Sequence, residues 1–211
     1  MRIIEPSVEI LSDINSDAIL RNLELYGRVC YKSEDRITND SANRFIQMLI
    51  KNGHESVLEH EKITVKFICD RGVSHEIVRH RIASYSQEST RYCNYNKDKF
   101  GNELTIIRPC FWNEDQDQEQ YKIWKDTMQK IEDSYNSLIS LGTKPEEARS
   151  ILPNSLKTEI VVTMNMREMR HFLKLRTSLR AHPQMREVSC KLLRLLKEKL
   201  PVIFEDIEEI D

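Results

Sequence analysis

Tyr121, Trp124, Met128, Ile131, Tyr135 and Leu138 recur at alternating intervals of three and four. That rhythm places them on one face of a long helix. Asn113 is positioned to cap its start and Gly142 its end. So regular a stripe commits the helix to a core or to a subunit interface.

The rest of the chain alternates shorter signals. Strands are expected at Arg2–Ile4, Val8–Leu11, Ile63–Cys69, Leu104–Ile107 and Glu159–Met164, where β-branched residues cluster or alternate with polar ones. Helices are expected at Ala18–Tyr31 and from Asp40 or Ser41 to Lys51, the latter burying Phe45, Met48 and Leu49 and ending at Gly53. Further helices are expected at Gly72–Arg81, at Arg167–Leu175, and from Pro183 to Lys199, the last burying Met185, Val188, Leu192 and Leu195 or Leu196. Strands scattered among longer helices predict an α+β fold: a mixed sheet with flanking helices, in one domain of residues 1–211. The chain has only five glycines and no G-x-G-x-x-G or Walker loop, so it is not a Rossmann fold.

Hydrophobic residues make up 39% and charged residues 31%, as in a globular protein rather than a disordered one. No apolar run approaches the ~20 residues of a membrane span. Met1–Pro6 lacks a secretory hydrophobic region. The net charge of −2 excludes a general polyanion binder. Arg167, Arg170, Lys174, Arg176, Arg180 and Arg186 nevertheless stand against Glu168 alone within residues 167–186, which suits a small anion better than a nucleic acid. The five cysteines are odd in number and contain no C-x-x-C pair, so neither a disulfide framework nor a metal site is expected. Cys69 and Cys190 sit among apolar residues as buried thiols, and a reducing cytoplasm fits.

Chemistry concentrates at Arg79-His80-Arg81, followed by Ser84, Ser86, Gln87, Ser89, Thr90 and Arg91. Guanidinium forks match phosphate and imide oxygens, and hydroxyls complete such a cradle. Ile77, Val78, Ile82 and Ala83 interleave with these charges and predict partial burial. The segment reads as a holder of a phosphorylated, hydrogen-bonding ligand.

The pattern R-H-R-x-x-S-x-x-x-x-S-x-R resembles the signature of the flavin-dependent thymidylate synthases. Gly53-His54-Glu55-Ser56 with Glu59-His60, then Leu152-Pro153-Asn154, Asn165-x-Arg167 and Arg170-His171-Phe172-x-x-x-Arg176 resemble the family's other segments, in order. The resemblance implies reductive methylation of dUMP to dTMP, with FAD as cofactor, NADPH as reductant and methylenetetrahydrofolate as carbon donor. It implies flavin contacts from Ser56, Arg79, His80, Arg81, Gln87, Asn165, Met166, Arg167 and His171. It assigns Glu76, Ile77, Val78, Arg79, Gln87, Glu88, Ser89, Thr90, Arg91 and Arg176 to the nucleotide, with Arg176 as the group that activates uracil. It also implies a homotetramer whose active sites lie between subunits, with no nucleic acid or membrane partner.

Three departures stand out, one of them Glu76, where some relatives carry Gln. Glu159 occupies a position where relatives carry a phosphate-binding Arg, and Lys157 on the same strand face is the candidate replacement. Arg180 stands where others carry a flavin-contacting His. The alternatives are a non-catalytic nucleotide- or RNA-binding protein using the same arginines, and an NADPH-flavin reductase with another acceptor.

Overall fold

The computed structural model describes residues 1–93, 95 and 103–209. Strands β1 (Arg2–Ile4), β2 (Ser7–Ile10), β3 (Lys62–Asp70), β4 (Ala83–Gln87), β5 (Thr105–Ile107) and β6 (Lys157–Asn165) form two sheets. One pairs β1 with β5 in parallel, and the other has the order β2-β3-β6-β4. The helices are α1 (Ser16–Tyr31), α2 (Ser41–Lys51), α3 (Arg71–Ile77), α4 (Gln118–Ser140), α5 (Pro145–Ala148), α6 (Met166–Arg176), α7 (Pro183–Lys199) and α8 (Pro201–Phe204). The architecture is α+β and not a Rossmann fold. The chain divides into two compact units.

The first unit comprises Met1–Ser7, Phe67–Arg79 and Ser86–Val161. The α4 stripe supplies its core: Tyr121, Trp124, Met128 and Tyr135 pack with Leu104, Ile106 and Leu156. Glu132 is buried beside this stripe and accepts the Leu104 N–H at 2.8 Å. That bond satisfies the amide that leads into β5. The cap of α4 is Asp117 rather than Asn113, whose carbonyl accepts the Asp117 N–H.

The second unit comprises Val8–Lys66, His80–Tyr85 and Val162–Asp211. Helix α2 packs on α1 through Ala42, Phe45, Ile46 and Leu49. Those positions follow the helical period, and Met48 falls off that face and is exposed, contrary to expectation. Gly53 has φ +72°, and the His54 N–H closes back onto the Leu49 carbonyl at 2.8 Å. A left-handed residue is needed there to end α2, and glycine takes that conformation without steric cost. The turn delivers Glu55–His60 as a 3-10 segment against α6.

Two elements differ from the sequence reading. Helix α3 ends at Ile77, so Arg79-His80-Arg81 lies beyond it, and β4 starts at Ala83. Of the four interleaved apolar residues, Ile77 is buried and Ala83 half-buried, while Val78 and Ile82 are 38% and 67% exposed. His80 itself is the buried member of the motif.

Candidate functional site

In the second unit the site is built at the junction of β6 and α6. Asn165 ends the strand in an extended conformation, and its side chain accepts the Glu168 N–H at 2.8 Å, capping α6. The helix then displays Arg167 and His171 to solvent and turns Glu168 inward. Arg167 pairs with Glu59 at 2.5 Å.

His80 is held from several directions. Its Nδ1 lies 3.0 Å from Glu168 Oε1, and Arg176 Nε donates to its Nε2 at 3.1 Å. The Phe172 ring meets it edge-on with centroids 4.9 Å apart, and the Tyr85 hydroxyl donates to its backbone carbonyl. Arginine can only donate, so His80 Nε2 must be the accepting nitrogen. The neutral ring therefore carries its proton on Nδ1 and gives it to Glu168. Burial pushes the His80 pKa below its ordinary value, and the adjacent Arg176 charge adds to that, while the Glu168 bond works in the other direction.

A cleft of about 510 Å³ opens on this face. Arg167, His171, Lys174, Asn165 and the apolar Ile82 line it, together with the carboxylates of Glu55, Glu59 and Glu168. Ser56 and Arg81 are exposed. The Met166 side chain is wholly buried and its N–H is bound to the Glu61 carbonyl. His80, expected to touch flavin, has both ring nitrogens committed to protein. His80, Glu168 and His171 bring donor atoms within 4.8 Å of one another, but a cation there would have to displace one of those bonds.

Arg170 is the cation of this helix that points into the core. It is 1% exposed and binds Asp206 through both terminal nitrogens at 2.6 and 2.7 Å, Glu55 at 3.1 and 3.2 Å, and the Ile203 carbonyl. This clamp joins the turn carrying Ser56 to the end of the chain.

The first unit gathers the other expected residues. Ile77 is wholly buried, so its side chain serves the core, whereas Val78 and Arg79 are exposed and Glu76 is half-buried. Gln87 spends its amide N–H groups on Ser74 (2.9 Å) and Thr158 (3.2 Å). Glu88 accepts from Lys157 at 3.0 Å and from the Tyr95 hydroxyl at 3.1 Å. Lys157 also binds Glu159 at 2.6 Å, so its ammonium is shared between these two carboxylates. Burial alone would lower the Lys157 pKa, but the bonds to Glu159 and Glu88 outweigh it and hold the ammonium above its ordinary range.

Beside them Ser89, Thr90 and Arg91 form a turn, in which Ser89 Oγ accepts the Arg91 N–H at 3.3 Å. A guanidinium that the sequence reading missed arrives here: Arg149 Nη1 donates to Thr90 Oγ1 at 3.4 Å. Arg91 itself meets Glu146 at 3.2 Å. Two guanidiniums thus flank one hydroxyl-bearing turn, a cradle suited to an anion. The only local signal for Arg149 was its place in the run Arg149-Ser150-Ile151-Leu152-Pro153, just ahead of the recognised Leu-Pro-Asn.

Comparison with known proteins gives three agreeing results. Residues 14–202 match the family model described as thymidylate synthase complementing protein. A flavin-dependent thymidylate synthase of Geobacter sulfurreducens is 36% identical over 189 residues, covering 86% of this chain and 79% of that protein. One from Pyrococcus furiosus is 36% identical over 178 residues, covering 84% and 71%. In fold, the chain is similar to the crystal structure of the UMP/dUMP methylase PolB from Streptomyces cacaoi bound with 5-Br dUMP. The TM-score is 0.80 at 22% identity, over 97% of this chain and 96% of that one.

Proposed function

The chain belongs to the thymidylate synthase complementing protein family, and on that premise we propose that it methylates dUMP to dTMP, with FAD as cofactor, NADPH as reductant and methylenetetrahydrofolate as carbon donor. The observation that carries this reading is the family match over residues 14–202, with relatives named flavin-dependent thymidylate synthases.

The residues present suit a flavin dinucleotide. Arg167 and Lys174, paired with Glu59 and Glu55, and His171 bring cationic and donor groups to the cleft, and Ile82 offers an apolar contact. Ser56, Arg81, Asn165, Arg167 and His171 would hold the FAD, with Arg79 also contributing. When bound, the flavin supplies the reducing equivalents, and the protein supplies orientation and electrostatics.

Ser89, Thr90, Arg91 and Arg149 would hold the nucleotide phosphate, with Glu76 and Arg79 as further nucleotide contacts. Arg176 would face the uracil imide. A guanidinium there stabilises the negative charge that develops as the imide loses its proton, which raises nucleophilicity at C5. Residues 1–211 act as one functional domain. The working form is a homotetramer, a reading supported by Leu25, Val29 and Tyr31, which α1 leaves exposed.

The test is tritium release from C5-labelled dUMP with FAD, NADPH and methylenetetrahydrofolate. Release that requires all three supports the reading. A protein that binds FAD and oxidises NADPH without needing dUMP would be a flavin reductase instead. Light scattering should give a mass well above that of the 25.0 kDa chain.

A further inference from the structure

We infer that Glu168 is a positioning residue for Arg176 and acts through His80. The inference rests on the reading that Arg176 works on the substrate.

Glu168 is the third residue of α6, after the cap Asn165. In the sequence pattern N-x-x-E, a glutamate at this position ordinarily turns back onto the cap's own backbone. Here it bonds to His80 instead, a residue 88 positions away. His80 is buried, so this bond takes place largely out of water, where an unmatched donor is costly.

The chain of bonds has a fixed direction. Arg176 Nε–H needs an acceptor, which His80 Nε2 provides only when the ring proton sits on Nδ1. Glu168 stabilises that tautomer by accepting the Nδ1 proton. Without the carboxylate the ring is free to move its proton to Nε2. Two donors would then face each other, and Arg176 would lose its Nε contact with His80. Phe172 and Tyr85 hold the ring and backbone of His80 in place, so the tautomer is the variable that Glu168 controls. A long, flexible side chain such as arginine is useful in catalysis only when its orientation is held.

The experiment combines nitrogen NMR of the histidine rings with a mutant cycle, on the whole chain loaded with FAD. In the parent protein His80 should be neutral with its proton on Nδ1. Glu168→Ala should shift the proton toward Nε2 and lower the kcat of dUMP methylation about tenfold or more, the scale for loss of a group that orients another. Added to Arg176→Ala, it should cost little further, because the two act in one chain. Glu168→Gln, whose amide oxygen can accept the same proton, should keep the Nδ1 tautomer and recover most of the loss. It also serves as the test if Glu168→Ala fails to fold. Additive losses in the double variant would overturn the inference. So would a His80 that keeps its Nδ1 proton in Glu168→Ala, or a Glu168→Gln that keeps the tautomer yet stays impaired. The tautomer is read without any assay, so these failures differ from a parent protein that methylates no dUMP, which would overturn the functional reading and the positioning role with it.

Discussion

The middle and the C-terminal end of α6 each carry one guanidinium and use it in opposite ways. Arg170 is buried and bound by two carboxylates and a carbonyl. Arg176 is half-buried, and one of its bonds goes to a neutral imidazole. The same residue type on the same helix is thus a fully buried clamp at Arg170 and, under the proposed function, a less buried substrate-facing group at Arg176. Burial separates the two, and residue type alone does not.

The contrast is broken most directly at Arg170. Arg170→Ala leaves Asp206 without its guanidinium and Glu55 with Lys174 at 3.6 Å, and breaking a buried pair from one side costs about 3 kcal/mol or more. Asp206 is half-exposed and regains water, which places the expected value at the low end of that range. For a chain of this size the melting temperature should fall by about 6–12 °C. Calorimetry showing almost no change would mean that the clamp is not structural.

Arg176 should give the reverse pattern. Arg176→Ala should leave thermal stability close to the parent and lower dUMP methylation by about 10²-fold, the scale for one preorganised electrostatic group. Arg176→Lys should recover little, because an ammonium keeps the charge but loses the planar fork. Near-parent turnover of Arg176→Ala at saturating dUMP would move the activating role elsewhere, with Arg79 the next candidate.

This pairing also marks what the sequence reveals. The α4 core was legible because Tyr121, Trp124, Met128 and Tyr135 repeat a helical period over many turns. Strand β6 was legible from its β-branched alternation. Strand β4 was not, since Ala-Ser-Tyr-Ser-Gln has little strand propensity and gains its place by pairing in the sheet. The helix expected through Arg81 ends at Ile77, because local pattern does not say where tertiary structure stops a helix. The motif arginines were legible as a group, but their division into clamp and site was not. It depends on Glu55, Asp206, Glu168 and His80, which lie far from their partners in sequence. Arg149 was missed for the same reason, because its contact with Thr90 is tertiary.

The smallest expected effect separates the two ends of α6 by pH. His80 has a folded pKa below its ordinary value of 6.5. A group shifted this way contributes stability that is present above about pH 6.5 and is lost as pH falls through its folded value, because the unfolded chain takes up the proton first. Asp206 is also shifted downward, chiefly by the Arg170 bond, from an ordinary value of 3.8. Its contribution persists until the solution is far more acidic. Between about pH 6.5 and 4, acidification should therefore loosen the Arg176 end while the Arg170 end holds. The ionisable groups in contact with the His80 side chain are Glu168, His171 and Arg176, and Tyr85 on β4, pushed up to about 12, does not titrate in this range. Protonated His80 would present a donor to Arg176 Nε and break that bond. The measurement is the stability of the parent across this range, with the same curve for His80→Gln subtracted. The difference should fall toward acid with a slope no steeper than about 1.4 kcal/mol per pH unit, the limit for one proton. Arg170→Ala should leave that difference unchanged. A flat difference curve would mean that the fold does not disfavour protonated His80.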